Sequence, residues 1–78
     1  MRIDEVRKVY HEQPFRPFTI RVADGHEYTV NHPEFLSISV SGRSIVVSTP
    51  DDLHELINVM MITSIHFGNG EARRRRRR

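Results

Sequence analysis

Hydrophobic positions in this chain change period once, near residue 17, and that change divides it into a helix followed by strands. Ile3, Val6 and Val9 or Tyr10 recur at helical spacing within residues 2–12. Asp4 and Glu5 complement the positive end of a helix dipole there. Pro14 and Pro17 stop the helix, because proline lacks the amide hydrogen and disfavours helix in the residue before it. From Phe18 the period is two. Phe18, Ile20 and Val22 alternate with Thr19, Arg21 and Ala23, which predicts a half-buried strand with Arg21 directed to solvent.

Asp24-Gly25 then reads as a hairpin turn of type I′, since both residues tolerate positive φ. The chain returns through Tyr28 and Val30, and His32-Pro33-Glu34 marks a turn. Leu36, Ile38 and Val40 alternate with serines as a third strand; Gly42 interrupts, and residues 44–49 form a fourth strand around Ile45, Val46 and Val47. Thr49-Pro50-Asp51-Asp52 has the composition of a helix start but is read as a turn at 50–52. Leu53, Leu56, Ile57, Met60 and Met61 fit helical spacing, whereas the β-branched Val59, Ile62 and Ile65 favour strand, so 53–61 is a strand or a short helix. Most of this apolar segment is expected in the core. A last strand follows at 62–67. The predicted fold class is mainly β: a small antiparallel, partly open β-barrel with a short N-terminal α-helix, occupying residues 1–70.

A further string of residues carries a resemblance. Pro14-Phe15-Arg16-Pro17-Phe18-Thr19-Ile20, Asp24-Gly25, His32-Pro33-Glu34-Phe35-Leu36, Gly42-Arg43 and Val46-Val47 resemble a group of small bacterial proteins of unknown function, over roughly residues 14–66. That resemblance implies relatives rather than chemistry. In topology alone, a helix followed by about five antiparallel strands also resembles the Sm-like barrel, an architecture often met as RNA-binding rings. The Sm-like glycine turn near the last two strands has no counterpart, since Ser41-Gly42-Arg43 lies one hairpin too early. No RNA-binding residue follows from topology, because fold does not imply function.

Charge changes the picture. The chain has 12 Lys+Arg and 10 Asp+Glu, a formal +2. Six of the basic groups are Arg73, Arg74, Arg75, Arg76, Arg77 and Arg78; the other 72 residues keep 6 basic against 10 acidic groups, a formal −4. Residues 71–78 therefore read as a disordered cationic tail on an acidic domain, either native or added for purification. Guanidinium groups pair bidentately with phosphates, so nucleic acid, RNA or DNA, is the expected partner. Full engagement of six arginines gives a salt slope of roughly −5 on duplex DNA and −4 on single strands. Arg21 and Arg43 are the basic candidates within the domain. The competing expectation is a protein-interaction or self-assembly module, a homo-oligomer whose tail meets acids such as Asp51, Asp52 and Glu55 of a neighbouring subunit.

Other chemistry is sparse. Cysteine is absent, which removes disulfides and thiolate metal sites and fits a cytoplasmic setting. His11, His26, His32, His54 and His66 show no zinc-ligand spacing, so no metal is expected. No phosphate loop, nucleophile elbow or paired acid arrangement suggests an enzyme, a cofactor or a small-molecule substrate. The longest apolar run, Val59-Met60-Met61-Ile62, is far short of the roughly 20 residues of a membrane span.

Overall fold

Asp4 and Glu5 in its first turn and Arg7 and Lys8 in its last match the dipole of helix α1, Ile3–Tyr10. The computed structural model describes residues 1–68; the 73–78 run and the expected domain boundary at 70 lie outside them. Helix α1 buries Val6 and half-buries Ile3, Val9 and Tyr10, and the Tyr10 hydroxyl donates to the carbonyls of Pro33 (2.8 Å) and Leu36 (3.1 Å). At its other end Ile3 packs against Gly42, where an added Cβ would meet its side chain at 3.4 Å.

Six strands follow: β1 Phe18–Val22, β2 Glu27–Val30, β3 Leu36–Ile38, β4 Ser44–Ser48, β5 His54–Asn58 and β6 Ile62–Phe67. Single 3₁₀ turns at Pro33–Phe35 and Val59–Met61 precede β3 and β6. The protein is mainly β, with the expected N-terminal helix. Among the described residues the strands form two antiparallel three-stranded sheets, ordered β2-β1-β6 and β3-β4-β5, and no closed barrel. Sheet β3-β4-β5 is a continuous meander, whereas β6 returns to pair Phe67 with Phe18 at the start of β1.

One core joins the layers. Val6 of α1, Phe18, Ile20, Val22 and Val30 of the first sheet, and Leu36, Ile45, Val47 and Ile57 of the second are buried together with Val59 and Ile62. Each such side chain contributes about 1.5–3 kcal/mol relative to exposure. Thr19 breaks the expected alternation: it is fully buried on the other face of β1, with its hydroxyl 3.2 Å from that of Thr29 and 2.9 Å from the Gly68 carbonyl.

Three expectations are corrected. The β1–β2 turn is not type I′: Gly25 N–H donates to Val22 O (2.9 Å) and Val22 N–H to His26 O (3.0 Å). Gly25 has φ 95°, and Asp24 is not among the residues of positive φ. This is a three-residue loop, a tight turn followed by one left-handed residue. Secondly, β3 ends at Ile38 and Val40 is fully exposed. Ser39 turns the chain there, its N–H donating to Ser44 O (3.0 Å) and its hydroxyl accepting from Ser44 N–H (3.2 Å). Thirdly, of the apolar segment 53–61 only Ile57 and Val59 are buried; Leu53, Leu56, Met60 and Met61 are exposed. A strand buries one face, and the helical spacing of these residues scatters them outward once the segment is extended.

Candidate functional site

Among the described residues strand β5 pairs only with β4, which leaves its other edge without a strand partner. Leu56, opposite Val46 on β4, points away from the core and keeps 75% of its surface exposed. The 3₁₀ turn after β5 is held by Asn58, whose side-chain oxygen accepts from Met60 N–H at 2.9 Å. That turn presents Met60 and Met61, 82% and 51% exposed. An open strand edge beside exposed apolar side chains is a template for pairing with another segment.

The edge also forms one wall of a groove between the two sheets. Glu55, Leu56, Ile57 and Asn58 line one side, with Val22, Ala23, Asp24 and Tyr28 at the far end of β1 and the start of β2 on the other. Its volume is about 270 Å³. Asp24 and Glu55 are its charged residues, and none of its described lining is basic.

A polar cluster rims this groove. The Tyr28 hydroxyl donates to Glu55 Oε1 at 3.2 Å, joining β2 to β5. His26 stacks on Tyr28, ring centroids 6.3 Å apart, and its Nδ1 lies 2.9 Å from Asp24 Oδ2. Asp24 Oδ1 accepts from the His26 backbone N–H at 3.0 Å. The backbone and ring hydrogen bonds of His26 hold Asp24 below the usual carboxylate range. Asp24, with a smaller contribution from Glu55, raises His26 above the ordinary imidazole value. Burial, and then the bond to Glu55, push Tyr28 up.

The predicted basic residues are not brought together. Arg21 lies on β1 opposite Glu27, its Nε 3.6 Å from Glu27 Oε2, and is half-exposed as the alternation required. Arg43 is exposed in the β3–β4 turn of the other sheet, its carbonyl accepting from Val59 N–H at 2.9 Å. Arg16, a third basic group, stacks on the Phe67 ring at 3.9 Å. Among the described residues no group of three or more His, Asp or Glu is placed to hold a metal. None of their helices is long and apolar enough to cross a membrane.

Sequence reasoning missed Asp24, Tyr28 and the groove they rim with Glu55. One signal was present. Glu55 shares a strand face with Ile57, and a carboxylate at an inward position marks a strand end that overhangs the core. Comparison of the chain with protein-family models, curated proteins and solved structures finds no match.

Proposed function

We propose that this chain is a non-catalytic interaction and self-assembly module whose β5 edge receives an extended segment by strand addition. The observation that carries this reading is the open edge of β5 beside exposed Leu56, Met60 and Met61. Strand addition satisfies the free backbone groups of the edge while covering these side chains. A homo-oligomer is the simplest product, and a closed Sm-like arrangement is its finer form. The lack of cysteine fits assembly in the reducing cytoplasm. Sedimentation velocity across protein concentration tests the proposal. The expected result is a species heavier than the 9.2 kDa chain, returned to monomer by Leu56→Lys. A wild-type protein that stays monomeric throughout overturns self-assembly.

A second reading, favoured by six consecutive arginines, is non-specific nucleic-acid binding through the 73–78 run. Arg21 and Arg43 add little to it, the first facing Glu27 and the second isolated on the other sheet. Fluorescence anisotropy of labelled oligonucleotides across a salt series tests this reading, comparing the full chain with residues 1–72. Binding lost with the run supports it, and equal binding by both forms removes it.

A further inference from the structure

Resting on the reading of β5 as an acceptor edge, we infer that its occupant is the arginine run 73–78 of a second copy of this chain. The groove and the run are complementary in charge. The groove carries Asp24 on one wall and Glu55 on the other with no basic residue in its described lining, while the run supplies six guanidinium groups. The same imbalance holds for the molecule, where 72 residues of formal charge −4 precede a segment of +6.

The surfaces suit arginine in particular. Its planar guanidinium pairs in parallel with a carboxylate and stacks on aromatic faces, and its stem covers apolar surface. Glu55 gives one oxygen to Tyr28 and retains further acceptor capacity on the open side. The rings of Tyr28 and His26 stand beside it, and Val22, Leu56, Ile57 and Met61 provide apolar lining for the stems. An extended segment places alternate side chains on one face, so a run of one residue type presents arginine to the groove in every register. The complement therefore needs no unique register.

Chain length favours another copy as the donor. Gly68 is held at the start of β1, its N–H donating to Pro17 O (2.8 Å) and its carbonyl accepting from Thr19 (2.9 Å). Asp24 lies past the opposite end of β1, roughly 23 Å away at the rise of a strand. Residues 69–72 span at most about 14 Å. At full extension the backbone of Arg73 and Arg74 thus falls short of the groove of their own domain, whereas that of Arg75 to Arg78 can reach it. A second copy is free of this tether and can offer all six to the β5 edge.

The test uses the full chain, freed of nucleic acid, in sedimentation velocity at about 20 mM and about 0.5 M salt, where screening differs severalfold. Hexa-arginine peptide in excess serves as competitor. The expected result is assembly at low salt that high salt or the peptide reduces to monomer. Asp24→Lys/Glu55→Lys, and more mildly Glu55→Gln, should weaken association, by at least tenfold for the double variant. Folding of each variant is checked by amide NMR spectra. Assembly that survives the peptide and the charge reversals, yet is lost in Leu56→Lys, overturns the arginine occupant and leaves the β5 edge as the acceptor of some other segment. Assembly indifferent to Leu56→Lys overturns the edge itself, and a monomer under all conditions overturns both.

Discussion

Tyr28 and Glu55 face each other from different sheets, and the phenolic hydroxyl of one donates to the carboxylate of the other across 3.2 Å. The contact spans the rim of the groove, so it ties the β1–β2 hairpin to the open β5 edge. Removing one hydroxyl from a partly solvated bond to a charged acceptor costs about 0.5–1.5 kcal/mol. Tyr28→Phe should lower the urea midpoint by a corresponding amount with an unchanged m-value. A midpoint equal to wild type would show that water replaces the bond without loss.

Asp24 and His26 make the β1–β2 loop sensitive to pH. His26 is raised above 6.5 in the folded protein by Asp24, so its contribution is complete below 6.5 and is lost as pH rises through the raised value. Asp24 is lowered below 3.8, so its contribution is present above 3.8 and is lost as pH falls through the lowered value. The pair therefore supports the loop most between about pH 4 and 6.5. An NMR titration should place His26 above the ordinary imidazole midpoint, and Asp24→Asn should bring it back down. A midpoint that Asp24→Asn does not move would remove the pair from the account.

Asp52 holds in the β4–β5 loop the place that Gly25 holds in the β1–β2 loop. Asp52 N–H donates to Thr49 O (3.0 Å) and Thr49 N–H to Leu53 O (2.9 Å), repeating the pattern around Val22 and His26. The φ of Asp52 is 66°, a left-handed conformation that costs an L residue energy and glycine none. Asp52→Gly should stabilise the protein by roughly 0.5–1 kcal/mol. The exposed 3.6 Å contact of Asp52 with His54 offsets little of that gain. Gly25→Ala should lose about 1 kcal/mol for the converse reason. Thermal unfolding checks both signs.

Thr19 is the buried polar residue of the core region, and its hydroxyl joins Thr29 to the Gly68 carbonyl. Thr19→Val keeps the shape and removes the bonds, leaving the Thr29 hydroxyl short of a partner. A loss of about 1–2 kcal/mol is expected, with faster amide exchange at Gly68. Thr19→Ser should recover most of the exchange protection, because it restores the hydroxyl and not the methyl. Unchanged exchange in Thr19→Val would show that Pro17 alone holds Gly68.

The strands legible in the sequence were those whose register is local. Period two in 18–22 and turn residues at 24–25 placed the first hairpin, although the turn type followed from bonds that Asp24 and Gly25 do not themselves encode. Arg21 was correctly turned outward by that alternation, and the acidic and basic ends of α1 marked its direction. What the sequence concealed was mostly non-local. The burial of Thr19 depends on Gly68, 49 residues away. The exposure of Leu56 follows from residues 54–58 being strand rather than helix, which the mixed spacing of 53–61 leaves undecided. The groove is hidden because Asp24 and Glu55 lie on different sheets.

The sheet β3-β4-β5 is assembled from hairpins between consecutive segments, whereas β6 must come back across the whole intervening chain to reach β1. Local hairpins close quickly, and a distant pairing waits until the entropy of its long loop is met. Strand β6 is thus expected to dock after the local hairpins in folding. It is also the strand from which the sequence reaches the six arginines after five intervening residues. A ligand held by that run would therefore be tethered, through residues 68–72, to the pairing that closes the longest loop of the fold.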